Sequence, residues 1–140
     1  MLANRFFSES FPKTCGPELF NLEFIEASKV QAGVSGISPE DLIATVTQLT
    51  AESIINALQQ YNNLKLTIYT SGGGYHNPMI MHQLESLPNI SLKSTQDLGI
   101  NPDAKEAILF AILANETLSD SSPAIGDSPS VSMGKISFPY

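Results

Sequence analysis

Apolar positions along this chain fall into three helix-like patterns separated by short apolar runs. Between Ser38 and Tyr61 the residues Leu42, Val46, Leu49, Ile54, Ala57, Leu58 and Tyr61 recur at near-helical spacing. Ser38 suits an N-cap, Pro39 suits the first turn, and Glu40 and Asp41 favour the positive end of the helix dipole. Asp41, three residues after Ser38, approximates a capping box. This helix is predicted to end at Asn62-Asn63, where Asn tolerates the left-handed conformation. Leu64 to Tyr69 then reads as a buried strand. A second helix starts at Pro78 and stops before Pro88, and Ile90 to Lys93 reads as a short strand. Gln96 to Asp103 forms a loop. A third, longer helix starts near Pro102, with Ala107, Ile108, Phe110, Ala111, Leu113 and Ala114 as its apolar face. Upstream, Ser8 to Gly16 is a loop, and Pro17 opens a short helix through about Glu26, with Leu19, Phe20, Leu22 and Phe24 packing beneath it. Val30 to Ile37, with two glycines, reads as a connection. Residues 119–129 form a Ser- and Pro-rich surface loop, and Val131 to Ile136 closes as a last strand. The order helix–strand–helix–strand–helix–strand predicts an α/β fold with a short mixed sheet flanked by helices, core packing accounting for nearly all the apolar residues.

Composition narrows the class. A chain of 140 residues is expected to be a single domain of ordinary size, residues 1–140. Apolar residues at 42% and charged residues at 15% indicate a packed globular fold. A net charge of −7, with only seven scattered basic residues, argues against a nucleic-acid surface. An acidic chain can still bind ATP, because backbone amides and Mg²⁺ neutralise phosphate. The single cysteine, Cys15, rules out an internal disulfide, fits a reducing compartment, and reads as a small, partly buried residue rather than a nucleophile. His76 and His82 lie six apart without ligand partners, so no metal site is expected. No stretch approaches about 18 apolar residues, and the N-terminus lacks a secretory core, so a cytoplasmic protein without membrane contact is expected.

The chemistry concentrates at Thr70-Ser71-Gly72-Gly73-Gly74-Tyr75-His76-Asn77-Pro78, between the central strand and the second helix. Three glycines leave no Cβ atoms there, so the backbone can turn sharply and lie flat against a ligand. The helix that follows is expected to offer unpaired N–H groups to an anion such as a nucleotide. The run is neither a Walker loop nor GxGxxG, and an ordinary glycine-rich turn is the competing reading.

Four stretches, in order, resemble the carboxy-terminal half of the anhydro-N-acetylmuramic acid kinase family. They are Phe11-Pro12-Lys13-Thr14-Cys15-Gly16-Pro17-Glu18-Leu19-Phe20-Asn21; Gly72 to Pro78, with Met81 and Leu84 behind it; Leu98 to Ala107, leading into Phe110 to Ala114; and the weaker Met133-Gly134-Lys135-Ile136. The resemblance implies a ribonuclease-H-like lobe of the sugar kinase, Hsp70 and actin superfamily, with ATP bound between two lobes and the amino-terminal lobe absent from this chain. Gly72, Gly73, Gly74 and Asn77 would then line the nucleotide site near the adenosine. The implied reaction uses ATP and Mg²⁺. A carboxylate activates water to open the anhydro amino sugar, and the released 6-oxygen takes the γ-phosphoryl group, giving N-acetylmuramic acid 6-phosphate in cell-wall recycling. The family's phosphate loop and catalytic aspartate have no counterpart here, so no catalytic residue is expected in the chain and no kinase activity from it alone. A homodimer and the missing lobe are the implied partners.

Glu106 reads either as a favourable charge near a helix N-terminus or, by the resemblance, as a contact to the sugar. Lys13 reads either as a solvated loop lysine or as a contact in the cleft. Asp97 and Asp103 flank a turn and suit capping. Tyr75 and His76 could stack near a base, although packing or exposure explains each. The rival to a kinase lobe is a non-catalytic nucleotide-sensing or protein-interaction module of the same fold, or a binding domain for cell-wall fragments.

Overall fold

A computed structural model describes residues 1–61, 63–119, 130, 131 and 133–138. Among these residues four α-helices and two strands follow in the order α1 (Leu22–Ala32), α2 (Pro39–Leu58), β1 (Leu66–Thr70), α3 (Pro78–Glu85), β2 (Ile90–Ser94) and α4 (Lys105–Ser119). The chain divides into two compact units, the first Met1–Thr67 with Asn77–Ser91, the second Ile68–His76 with Leu92–Tyr140.

In the first unit α2 begins where the sequence places it. The Ser38 hydroxyl accepts from the Asp41 N–H at 3.0 Å and donates to the Asp41 carboxylate at 2.8 Å. Cap and acid thus engage each other, while Pro39 occupies the first turn. A 3₁₀ turn, Gln59–Tyr61, continues α2 to the predicted end. Of the expected Asn62-Asn63 stop, Asn62 lies outside the described residues. α3 packs on α2, and the Gln83 side chain donates to Gln48 across them. Ala51 from α2 and Ile80 and Leu84 from α3 are the buried apolar residues among those described, and Leu84 is 3% exposed.

α1 starts later than predicted. The Gly16 N–H bonds the Glu18 carboxylate and the Leu19 N–H bonds Gly16 O, so the residues after Gly16 turn instead of opening a helix. Asn21 then caps α1, its Oδ1 accepting from the Phe24 N–H at 2.9 Å. The helix runs into the predicted connection and stops at Gly33, whose φ of +67° is the left-handed C-cap conformation that glycine adopts without strain. Phe20 and Phe24 pack as expected, their ring centroids 5.1 Å apart, and Phe6 and Phe7 join Phe20. Leu22 does not pack beneath; it is exposed.

β1 and β2 pair as a two-stranded sheet. The Leu66 N–H bonds Asn89 O at 2.9 Å, and the Thr70 hydroxyl bonds Lys93 O at 3.0 Å. The same offset at both ends marks the strands as parallel. The expected mixed sheet is therefore a parallel pair among the described residues. Residues 131 and 133–136 form no strand, and Ser132 lies outside the description. β1 alternates half-buried Leu66, Ile68 and Thr70 with exposed Thr67 and Tyr69, so it is covered on one face only, not buried on both as its apolar run suggests.

α4 departs furthest from expectation. It has no buried residue, and Ile108, Leu109, Phe110 and Ile112 are all exposed, Phe110 by 67%. The predicted apolar face is not packed. The apolar positions spread around the helix instead of forming one stripe, a pattern typical of helices within larger interiors.

The first unit's core is small, so it should be sensitive to its one closely packed leucine. Leu84→Ala is expected to cost about 2–5 kcal/mol in urea unfolding. Ile43→Ala, on the exposed side of α2, should stay within about 0.5 kcal/mol.

Candidate functional site

The glycine run lies in the second unit. Gly73–His76 forms a single 3₁₀ turn, closed by the Tyr75 N–H on Gly72 O at 3.0 Å. Gly72 has a φ of +78°, a conformation that disfavours side chains, so the turn itself demands glycine there. Gly73 and Gly74 have no such φ, and a Cβ added to either would meet nothing within 4 Å among the described residues. The backbone at these two positions is open on the side where a side chain would stand.

A second loop of the same unit holds this turn. The Gly72 N–H donates to Pro102 O at 3.0 Å, and His76 Nε2 lies 2.6 Å from Asp103 Oδ1. The Asp103 N–H in turn bonds Asn101 Oδ1 at 2.9 Å. The capping role expected of Asp103 thus falls to Asn101, and Asp103 serves His76. The Tyr75 ring meets the His76 ring edge-on at 5.2 Å. Neither histidine nor aspartate carried a sequence signal for this pairing, because the two stand 27 positions apart.

Asn77 belongs to the first unit and caps α3. Its Oδ1 accepts from the Met79 and Ile80 N–H groups, its main-chain O accepts from Met81, and Pro78 has no N–H to offer. The free amides expected at the start of this helix are therefore all accounted for.

Lys13, also in the first unit, is half-buried and its ammonium is engaged. Its ammonium donates to Phe6 O at 2.7 Å and Phe7 O at 3.3 Å, and stands 4.7 Å from the Phe6 ring centroid. It flanks a groove of about 830 Å³ lined by Phe6, Phe7, Phe11, Phe20 and Phe24. Cys15 lines the same groove as an exposed free thiol, not the partly buried residue expected. Glu106 is exposed in the first turn of α4, in the second unit, and forms no salt bridge among the described residues. Thr95, just after β2, is buried with no partner for its Oγ1 among the described residues, an uncompensated polar group for which the sequence gives no warning. Among the described residues no cluster of three acidic, His or Cys side chains could hold a metal ion, and no helix is long and apolar enough to cross a membrane.

The profile of the anhydro-N-acetylmuramic acid kinase family matches residues 1–137. The chain belongs to this family. Proteins named anhydro-N-acetylmuramic acid kinase from Pseudoalteromonas atlantica and Pseudoalteromonas translucida are 42% and 43% identical to it, over 99% and 96% of its length. One of the same name from Francisella tularensis subsp. novicida is 35% identical over 99% of the chain. The chain spans 36–38% of the length of these three relatives.

Because Asn77 satisfies two amides at once, its loss should be felt in stability. Asn77→Ala is expected to lower the unfolding free energy by about 1 kcal/mol, with most of it retained in Asn77→Asp, as read by chemical denaturation.

Proposed function

We propose that the chain forms the nucleotide-binding part of a kinase that opens 1,6-anhydro-N-acetylmuramic acid and phosphorylates it to N-acetylmuramic acid 6-phosphate. Gly72, Gly73 and Gly74 lie along the adenosine side of ATP, and Asn77 fixes the start of the helix that follows. Bound ATP supplies the phosphoryl group, and Mg²⁺ spreads its charge. Glu106, exposed and without an ion-pair partner among the described residues, is available to the sugar. Lys13 holds the turn that contains Phe6 and Phe7. The carboxylate that activates water lies outside these 140 residues.

The observation that carries this reading is the contrast among the three glycines. The φ of Gly72 explains its glycine, whereas nothing in the local backbone or in the packing of the described residues requires glycine at Gly73 or Gly74. Glycine within a helical turn costs up to about 1 kcal/mol against alanine. A surface that must admit a ligand close to the backbone explains why two such residues sit side by side.

Mg-ADP titrated into the chain in a calorimeter is expected to bind saturably. Gly73→Leu should weaken it at least about tenfold while leaving stability within about 0.5 kcal/mol. Equal affinity in Gly73→Leu would reduce the run to a turn, and the absence of saturable heat from folded protein would remove the half-site. The chain alone should transfer no phosphate to the anhydro sugar. Turnover above a no-enzyme control would overturn the placement of the catalytic carboxylate elsewhere.

A further inference from the structure

The turn at Gly73–His76 contains two adjacent glycines, the residues that lose most conformational freedom when ordered. A ligand that had to order them would forfeit affinity, since fixing their backbone costs conformational entropy. In this structure the turn is already held at both ends by the loop before α4. Gly72 is tied through its N–H to Pro102 O, and His76 through its ring to the Asp103 carboxylate at 2.6 Å. That separation is short enough for a charge-assisted hydrogen bond. Asp103 is itself set in place by Asn101, whose side chain accepts from its N–H. Both side chains of the pair are more than half exposed, 56% for His76 and 62% for Asp103. An exposed pair of this kind contributes little to global stability. Its effect falls on the local segment it closes, a loop of five residues with no side chains at three of them.

We propose that His76 and Asp103 are positioning residues that hold the glycine turn in its ligand-ready form before nucleotide arrives. The proposal rests on the nucleotide reading of Gly72–Gly74. The pair touches no reacting atom. It lowers the ordering cost of binding, as preorganisation does in general.

Two readouts on the same protein separate the pair from the nucleotide reading. The first is amide hydrogen exchange at Gly72 and Tyr75 in nucleotide-free chain, the two N–H groups whose bonds define the turn. Asp103→Ala and His76→Ala are each expected to speed exchange there about tenfold, and the double variant no further, because the two side chains act as one unit. Asp103→Asn keeps an acceptor oxygen and should restore most of the protection. The second readout is the Mg-ADP dissociation constant, expected to rise about tenfold in each alanine variant and to recover in Asp103→Asn. The midpoint of urea unfolding should not move, in keeping with the exposure of the pair. Unchanged exchange in Asp103→Ala, or effects of the two alanine variants that simply add, would overturn the positioning pair even if Mg-ADP binds. Wild-type chain that shows protected Gly72 and Tyr75 amides but no Mg-ADP binding would overturn the nucleotide reading, and with it the pair's role in binding.

Discussion

The contact of α3 with α2 is the constraint on which the first unit depends. Ala51 is fully buried on α2, and Ile80 and Leu84 bury themselves on α3. These are the buried apolar residues among those described, and the half-buried rings of Phe6, Phe7, Phe20 and Phe24 form a second apolar cluster in the unit. α3 has only eight residues and would be marginal alone, since isolated helices of this length are not stable in water. It persists because Asn77 satisfies its first amides and α2 covers its apolar side. Asn77 thereby sets where the chain leaves the glycine turn and becomes a helix.

The elements with local signals were legible in the sequence. Ser38, Pro39 and Asp41 mark the start of α2 because capping is decided within four residues. The strand–glycine–helix order from Leu66 to Glu85 was readable for the same reason, and the structure keeps it. The displaced start of α1 shows the opposite case. Pro17 is a permissible first residue, but Glu18 folds back on the Gly16 amide and Asn21 offers the better cap. Two local signals competed, and hydrogen bonding to a side chain settled the outcome. The failed prediction for α4 is of another kind. Periodicity reports that Ile108, Phe110 and Leu113 are apolar. It does not report whether anything covers them, and in this structure Ile108 and Phe110 are exposed.

The candidate site divides along the same line. Glycines announce themselves, because a residue without Cβ has few structural reasons to be repeated three times. The family resemblance of the flanking stretches was likewise readable, and it agrees with the match over residues 1–137. The partners of the turn were not readable. His76 and Asp103 are ordinary surface residue types, and only folding brings a ring and a carboxylate 27 positions apart to 2.6 Å. Lys13 was equally hard to read. Its charge invites a ligand, whereas its ammonium is engaged by two main-chain carbonyls and two aromatic rings.

A turn that binds a ligand through its backbone faces two opposed demands. It must expose main chain, which favours glycine, and it must be rigid, which glycine opposes. In the proposed nucleotide site the three glycines would resolve these demands separately. Gly72 provides the left-handed residue that starts the turn, and its N–H is spent on Pro102. Gly73 and Gly74 keep their side open. Rigidity then has to come from outside the glycines, and the two side chains that supply it, His76 and Asp103, stand at the far end of the turn and on the neighbouring loop, where they hold the backbone without covering it. Exposure of the pair is consistent with that division of labour, since a buried clamp would occlude the surface that the glycines leave free.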